Sequence, residues 1–494
     1  MRIALVHYHL RRGGVSSVLL HQARGLVEAG DEVLIITGEE LGADPGIPQV
    51  TVEALGYDLN REPPAAGNGP AGNAAAGTDA AGTDAAGKAL ADALTAAMEA
   101  HWGCVADVLH VHNPLIQKNA ALLPALKVLT QRGIPLLLQN HDLAEDFRPN
   151  VYISGEDYPE NCHYAVINSR DYSFLLRAGL KHEGLHLLPN EVAPIEELEC
   201  PERKRYLYPV RAIRRKNIGE ALLISLFLPP GMTLAITLPP TTEKDGVVYR
   251  FWVNFARELG LPVEFEAGLS AGIGELFGGA WGIITTSVKE GFGFSFLEPW
   301  TAGRGVIGRR IDYVCRDFER EGIRFNSSTL KNVSQYSSLH IPMDYVAVPV
   351  FKKKLEQTVR GIYQAFALTT PDYIIKLLDT RFFSGSMIDF GCLDEELQAG
   401  LIRVLAANEA VFREIAAVNP FLGGLADWRP DEELVEANRQ CISRAYGKER
   451  ITAILRDTYR TVRDTRVSQR ISKSLLLELC LDPQRLFLVG VGYG

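Results

Sequence analysis

The amino-terminal segment contains the pattern that most limits how this chain can fold. Residues 2–7 are predicted to be a buried parallel strand, and the pair Gly13-Gly14 a tight turn. Residues 15–29 have the spacing of a helix, and residues 32–37 that of a second strand. A strand, a glycine turn, a helix and a strand in this order are typical of a doubly wound sheet. We therefore predict an α/β protein.

The same pattern predicts where a ligand would bind. In doubly wound sheets, ligands lie beyond the carboxyl ends of the strands. This rule places His7, His9, Gly13 and Gly14 at the mouth of a site. The turn lacks a complete GxGxxG, so a dinucleotide is only weakly indicated.

Later apolar runs predict a second domain of the same kind. The first sheet is predicted to have about six strands, which after the first two include residues 108–112, 135–139, 163–168 and 185–189. A linker rich in Glu and Pro follows residue 190, and a second doubly wound half is predicted to begin at residues 205–210. We predict two Rossmann-like domains, 1–190 and 203–466, that face each other across a cleft.

Residues 281–310 carry the strongest chemical pattern. Glu290 and Glu298 bracket a turn that contains Gly291 and Gly293. Glycines let the backbone approach a ligand closely, and a following helix start offers N–H groups to an anion. An anionic ligand with hydroxyl groups would fit this turn. From this stretch alone, a surface turn with two solvated glutamates is the alternative.

Four cations precede the helix predicted at residues 217–227. They are Arg211, Arg214, Arg215 and Lys216. A solvated basic face is one interpretation. A diphosphate clamp is the other, because guanidinium and ammonium groups suit phosphate oxygens and a helix start adds its dipole.

Polar residues also follow the strand predicted at residues 135–139. Asn140, His141 and Asp142 come directly after it. For a histidine at a strand end, bonding to neighbouring backbone and contact with a ligand are equally good interpretations.

Three segments depart from the regular alternation of strands and helices. Residues 63–88 are almost wholly Ala, Gly, Asn, Thr and Asp, which predicts a disordered surface insertion. Residues from about 312 to 428 predict a largely helical insertion in the second domain, with helices at 317–323, 351–367 and 393–415 and an irregular connector at 381–390. Residues 467–494 are predicted to form a tail that crosses back to the first domain.

The composition disfavours several classes of protein. The 494 residues carry a formal net charge of −9, which disfavours binding to nucleic acid or anionic lipid. The seven cysteines are scattered without a CxxC pair, so neither a zinc site nor a disulfide framework is indicated. The longest apolar run, residues 221–238, is broken by two prolines and a glycine, and we find no signal peptide pattern. We expect a cytoplasmic protein without a membrane span.

Taken in order, these motifs resemble the GT-B nucleotide-sugar glycosyltransferases, specifically the retaining family 4 group. Glu290-Gly-Phe-Gly followed by Glu298 is similar to that family's EGFG and LE motifs. Arg211 and Lys216, five apart, match its GR…K pair, although Val210 stands where a glycine is usual.

The resemblance extends beyond these two motifs. Gly13-Gly14, the pair His141-Asp142 and the strand exit at residues 188–190 fall in the family's order. It covers about residues 1–310 and resumes at residues 438–462, whereas the insertion between them departs from the family pattern.

The resemblance implies transfer of a hexose from a UDP-, GDP- or ADP-sugar to an acceptor hydroxyl, with the anomeric configuration kept. It implies no cofactor and no metal, in agreement with the lack of a DxD motif. Glu290 would hold hydroxyls of the transferred sugar, Glu298 the ribose, and His141 the outer sugar hydroxyl. The diphosphate would be bound by Arg211, Lys216 and the backbone of Gly291, Phe292, Gly293 and Phe294. Gly13 and Gly14 would complete the donor site when the domains close.

The acceptor and the exact activity stay open at this point. An acidic protein without a basic amphipathic helix favours a small soluble sugar or polar glycoside over a membrane lipid as the acceptor. A GT-B sugar-nucleotide epimerase and a non-catalytic nucleotide-sugar-binding protein are the alternatives. The only partners implied are small molecules, and a homo-oligomer is left open.

Overall fold

In the computed structural model of this chain, the structure describes residues 1–11, 13–39, 46–58, 80–155, 157–196, 198, 204–326 and 335–491. Most of the predicted low-complexity insertion, residues 63–79, lies outside these ranges. The prediction is wrong for residues 80–88, which begin the helix Ala80–Trp102. Alanine, the commonest residue there, has the highest helix propensity, and packing of the following turns extends the helix backward.

The first domain is built on a parallel sheet of seven strands, ordered β3-β2-β1-β4-β5-β6-β7. The strands are β1 Arg2–His7, β2 Glu32–Thr37, β3 Gln49–Thr51, β4 Val108–His112, β5 Leu136–Asn140, β6 His163–Val166 and β7 Leu185–Leu187. The prediction missed β3, because three residues on a sheet edge are too few to produce an apolar pattern. The helices of this domain are α1 Gly14–Glu28, α2 Ala80–Trp102, α3 Leu122–Gln131 and α4 Ser169–Arg177.

The second domain repeats this architecture with a six-stranded parallel sheet, ordered β10-β9-β8-β11-β12-β13. Its strands are β8 Arg205–Arg211, β9 Thr233–Leu238, β10 Val263–Glu264, β11 Ala280–Thr285, β12 Val306–Arg309 and β13 Gln335–Tyr336. Its first helices are α5 Ile218–Ser225, α6 Glu243–Glu258, α7 Ala267–Ser270, α8 Ile273–Gly278 and α9 Glu298–Thr301. The predicted doubly wound fold is confirmed, with strand order reversing beside β1 in one sheet and beside β8 in the other.

Residues 312–428 form a largely helical addition to the second domain, as predicted. Its helices are α10 Asp312–Arg320, α11 Val348–Ala365, α12 Asp372–Phe383, α13 Glu395–Ala407, α14 Glu409–Val418 and α15 Pro420–Gly424. The single helix predicted at 393–415 is wrong, because Asn408 interrupts it and its side chain accepts from the N–H groups of Ala410 and Val411. Residues 381–390, predicted to be irregular, contain the end of α12 and the strand β15 Met387–Asp389, which pairs antiparallel with β14 His340–Pro342.

One buried arginine joins this addition to the sheet. Arg309, in β12, donates to Glu220 of α5 at 3.0 and 2.6 Å and to Asp389 of β15 at 2.7 and 2.7 Å. Its side chain is 2% exposed and that of Glu220 is fully buried. Two carboxylates therefore compensate the charge of a guanidinium group that is buried away from solvent.

The chain crosses back to the first domain earlier than predicted. The last helices are α16 Glu432–Tyr446, α17 Lys448–Asp464 and α18 Lys473–Cys480. Helix α17, assigned by prediction to the second domain, packs against α1 and the first sheet, and α18 packs against α4. After α18 the chain returns to the second domain. There the carbonyl oxygen of Val491 accepts a hydrogen bond from the guanidinium group of Arg214 at 3.0 Å. In the described part of the chain, no helix is both long and apolar enough to cross a membrane.

Candidate active site

Glu290 lies in the loop after β11 and is held by two cations. Its carboxylate accepts from Arg215 at 2.7 Å and also from the ammonium group of Lys216, and only 6% of the residue is exposed. Burial alone would raise the pKa of Glu290, but the charges of Lys216 and then Arg215 lower it to about 2. The carboxylate is therefore ionised and fixed in orientation at neutral pH.

The loop after Glu290 needs its two glycines. Gly293 has φ +96°, and a Cβ there would lie 2.6 Å from a methyl carbon of Val314. A Cβ on Gly291 would lie 3.2 Å from the carbonyl oxygen of His141. Phe292 fills a buried cluster with Phe318 and Tyr446, while Phe294 begins the short helical turn Phe294–Phe296. Two constraints therefore shape the loop: the aromatic cluster around Phe292, and the close approach of the first domain at the carbonyl oxygen of His141.

Lys216 interacts with both acids that the sequence singles out, as an ion-pair partner of Glu290 and through its charge with Glu298. Glu298 begins α9, and burial raises the pKa of its carboxyl to about 7, with the charge of Lys216 acting against this rise. Burial lowers the pKa of Lys216, and Glu290 opposes that effect. The two glutamates thus differ: Glu290 is a fixed anion, whereas Glu298 titrates near neutrality.

The structure separates the four cations of the basic run. Arg211, at the end of β8, donates to the carbonyl of Pro239 at 2.9 Å, and Arg214 pairs with Glu395 at the start of α13. Arg215 reaches both the carbonyl of Lys289, at 2.6 Å, and Glu290. Of the predicted pair Arg211 and Lys216, the structure therefore brings Lys216 to Glu290, and Arg215 is the arginine that joins it there.

His141 approaches from the first domain, at the carboxyl end of β5. Its ring lies 3.1 Å from Nδ1 of His112, and its backbone N–H donates to Asn113 at 3.0 Å. Burial lowers the pKa of His141 to about 4, with Asp142 opposing. His141 is therefore neutral at physiological pH, with one ring nitrogen held by its neighbour.

His141 and Glu290 line one cavity at the domain boundary. Its charged lining consists of four acids and four bases: Asp142, Asp146, Asp171, Glu290, Arg148, Arg170, Arg215 and Lys289. The cavity holds about 20 Å³, enough for one water and far below the size of a nucleotide-sugar site. This cavity by itself therefore does not hold a nucleotide sugar.

Five of these charged lining residues were missed at the level of sequence: Asp146, Arg148, Arg170, Asp171 and Lys289. Lys289 pairs with Asp146 across the boundary at 2.9 Å, and Arg170 pairs with the same carboxylate at 3.0 Å. These charges lower the pKa of Asp146, against the opposing effect of burial. Lys289 directly precedes Glu290 in the sequence, and this position could have identified it as a site residue. No local sequence pattern identifies Asp146 or Arg170 as site residues.

Gly13 and Gly14 lie at the start of α1, beyond the carboxyl end of β1. Gly13 precedes the helix in an extended conformation, and a Cβ on Gly14 would meet no atom within 4 Å. Neither residue lines the cavity around Glu290. Their predicted role in donor binding stays a prediction.

Comparison with solved structures identifies the fold. Sucrose-phosphate synthase of Thermosynechococcus elongatus matches with a TM-score of 0.51 and 14% identity, over 93% of this chain and 98% of that chain. HepE of Anabaena, solved with UDP and glucose, matches with a TM-score of 0.51 and 13% identity, over 93% of this chain and 99% of that chain. Both are GT-B glycosyltransferases, so the predicted GT-B fold is confirmed.

One curated relative is similar in sequence. Mannosylglucosyl-3-phosphoglycerate synthase of Petrotoga mobilis is 27% identical over 356 residues, which are 62% of this chain. The match spans 64% of the length of that relative. No protein-family model matches the chain, so membership in family 4 stays a prediction.

Proposed function

We propose that this chain is a retaining glycosyltransferase that moves a hexose from a nucleoside diphosphate sugar to a hydroxyl of a small soluble acceptor. The observation that carries the proposal is the placement of Glu290, with Arg215 and Lys216, opposite His141 at the domain boundary. The GT-B fold supports it, because a two-domain cleft can bind donor and acceptor on opposite walls. We also propose that the protein acts in the cytoplasm.

The donor would bind mainly to the second domain. During transfer the leaving diphosphate gains negative charge, so fixed cations and N–H donors aimed at it stabilise the transition state more than the ground state. Lys216, Arg215 and the backbone of the glycine loop are suited to this, and we keep Arg211 as a further candidate. Glu298 would accept hydrogen bonds from the ribose hydroxyls.

Glu290 would act on the sugar. As a fixed, ionised carboxylate it can accept from sugar hydroxyls and balance positive charge at the anomeric carbon. His141, neutral and oriented, would contact an outer hydroxyl of the sugar. We assign the acceptor proton to a donor phosphate oxygen and propose no protein base and no metal for this step.

The names of the relatives suggest where to begin with substrates. HepE was solved with UDP and glucose, and the Petrotoga protein is named as the synthase of a glycosylated 3-phosphoglycerate. We therefore propose UDP-glucose and GDP-mannose as the first donors, and small polar glycosides as the first acceptors.

A donor panel tests the proposal. The chain is incubated with UDP-, GDP- and ADP-hexoses and candidate acceptors, and products are identified by mass and by the NMR coupling at the anomeric carbon. A new glycoside of retained configuration supports the proposal. An epimerised donor would assign the chain as an epimerase, inverted configuration would exclude the retaining route, and nucleotide binding without any product would leave a binding protein.

A further inference from the structure

Two cations lie on the first-domain wall beyond the carboxyl ends of neighbouring strands. Lys118 follows β4 after the short turn Pro114–Ile116, and Arg148 follows β5 by eight positions. Strands β4 and β5 are parallel and paired, so both segments leave the sheet at its ligand-binding edge. This is the wall opposite the proposed donor cations Arg215 and Lys216.

Lys118 is a partly buried cation without an acidic partner. In the ranges that the structure covers, no carboxylate forms a salt bridge with its ammonium group, whose nearest aromatic neighbour is Tyr57 at 6.0 Å from the ring centroid. Burial and then the charge of Arg148 lower the pKa of Lys118, with Asp142 acting against them. A bound anion would offset both the burial of the Lys118 ammonium group and its repulsion from Arg148.

Arg148 keeps most of its hydrogen-bonding capacity. It donates one described bond, to Asp142 at 2.8 Å, out of the five N–H groups of a guanidinium. Its side chain is 23% exposed, and it lines the same cavity as His141 and Glu290. An anionic group bound by Arg148 would therefore lie at the entrance to the reacting centre, where the acceptor must bind.

The charge balance of the cavity favours an incoming anion. The four carboxylates and four cations that line it compensate one another. Lys118 lies outside this lining, within electrostatic range of Arg148 and Asp142. On the first-domain wall, Lys118 and Arg148 are two cations near one carboxylate, Asp142, with which Arg148 pairs.

We propose that the acceptor carries an anionic group, a phosphate or a carboxylate, and that Lys118 and Arg148 bind it. The proposal rests on the proposed function, since it names the substrate class of the same cleft. Charge-assisted hydrogen bonds are about twice as strong as neutral ones, so removal of either cation should weaken binding about tenfold or more.

Binding of small anions to the full-length chain tests this proposal. The probes are 3-phosphoglycerate, glycerol 3-phosphate, glycerate and glycerol, titrated by calorimetry with and without UDP. The wild type should bind the charged probes and not glycerol, and the comparison of glycerol 3-phosphate with glycerate shows whether phosphate or carboxylate is preferred. Lys118→Met and Arg148→Met should each weaken binding about tenfold.

Matched controls separate this effect from loss of structure. Lys181→Met and Arg177→Met remove exposed cations of the same domain and should bind all probes as the wild type does. UDP binding and the thermal midpoint should be unchanged in Lys118→Met. Wild-type affinity for 3-phosphoglycerate in both cleft variants, or equal binding of glycerol, would overturn the proposal.

The two proposals can fail separately. If sugar is transferred, but only to uncharged acceptors, the glycosyltransferase function stands and the anion site is wrong. If Lys118 and Arg148 bind the charged probes but no donor yields a glycoside, the anion site stands and the proposed function is wrong.

Discussion

The side-chain amide of Asn168, in the first domain, donates to the carbonyl oxygen of Gly291, in the second, at 3.0 Å. Next to this contact, the backbone N–H of Ser169 donates to Asp317 at 2.7 Å. The start of α4 therefore holds the glycine loop in the closed arrangement. Opening of the domain boundary would break these contacts, and we expect donor entry to require such opening.

Asn168→Ser should accelerate donor entry. Serine still caps α4, as Asn168 does by accepting from the N–H of Asp171, but it is too short to reach Gly291. Loss of about 1 kcal/mol from the closed state raises the open-to-closed ratio about fivefold. We expect the association rate of UDP, measured by stopped flow, to rise by this factor.

A matched control for this variant is Asn408→Ser. Asn408 caps α14 in the insertion, and its described side-chain hydrogen bonds go to Ala410 and Val411 of that helix. Its UDP association rate should equal that of the wild type. An unchanged rate in Asn168→Ser would mean that this contact does not limit opening.

Glu290→Gln should stop transfer while sparing nucleotide binding. Glutamine keeps the shape of the side chain but removes the charge that would face the sugar, while the proposed diphosphate contacts, Arg215 and Lys216, keep their own charges. We expect the transfer rate to fall at least about a hundredfold, with the Kd of UDP within about threefold of wild type. Glu275→Gln, on the exposed face of α8, is the control. A wild-type rate in Glu290→Gln would reject the assigned role.

The same assays of UDP binding and sugar transfer compare the contributions of Arg211 and Arg215 to donor binding. If the arginine that contacts Glu290 also binds the diphosphate, Arg215→Met should weaken UDP binding and transfer about tenfold or more. Arg211→Met should weaken both if Arg211 leaves the carbonyl of Pro239 when a donor binds. Wild-type UDP affinity in Arg211→Met would leave the diphosphate role to Arg215 and Lys216.

Binding of the donor sugar nucleotide should depend on Glu298 near neutral pH. The pKa of Glu298 is about 7, so its carboxylate forms as pH rises through that value, and only the ionised form has all its lone pairs ready for ribose hydroxyls. Affinity for the donor should therefore rise between about pH 6 and pH 8. His141, whose pKa is about 4, stays neutral in this window.

Glu298→Gln is the matched test of that pH dependence. Glutamine does not titrate, so the rise in donor affinity should disappear, and any residual slope would belong to other groups. The same slope in variant and wild type would contradict the role of Glu298.

The insertion should depend on Arg309 for stability. Arg309→Met leaves Glu220 fully buried without its cation, which typically costs about 3–5 kcal/mol. Arg310→Met removes a neighbouring arginine whose partners Asp312 and Glu319 are 60% and 40% exposed, and should cost about 1 kcal/mol at most. Thermal and urea unfolding of the two variants measure the difference. Equal destabilisation would show that the buried pair contributes no more than a surface pair.

Local patterns predicted the framework of the protein well. Most strands of the first sheet, the glycine loop after Glu290 and the helical character of residues 312–428 each follow from apolar periodicity or turn residues within a short stretch. The strands β12 and β13 of the second sheet were not predicted. The misses have local causes too: β3 is too short to show periodicity, and Asn408 divides a helix that apolar spacing alone would continue.

The membership of the site was only partly predictable. Glu290, Glu298, Lys216 and His141 were named from motifs, and the structure brings Lys216 and His141 to the surroundings of Glu290. Arg215 stood in the predicted basic run without being singled out. Its selection over Arg211 depends on how the chain turns after β8, through the helical turn Arg214–Lys216 and Asn217 at φ +51°.

The sequence by itself determined two doubly wound sheets and the order of the motifs at their strand ends, because strand and turn preferences act over a few residues. The tertiary structure alone decided that Asp146 meets Lys289, and that Asn168 meets Gly291. These partners are more than a hundred positions apart across the domain boundary, with 143 positions between Asp146 and Lys289 and 123 between Asn168 and Gly291. Such contacts depend on how two separately folded surfaces pack, and no local pattern encodes that arrangement.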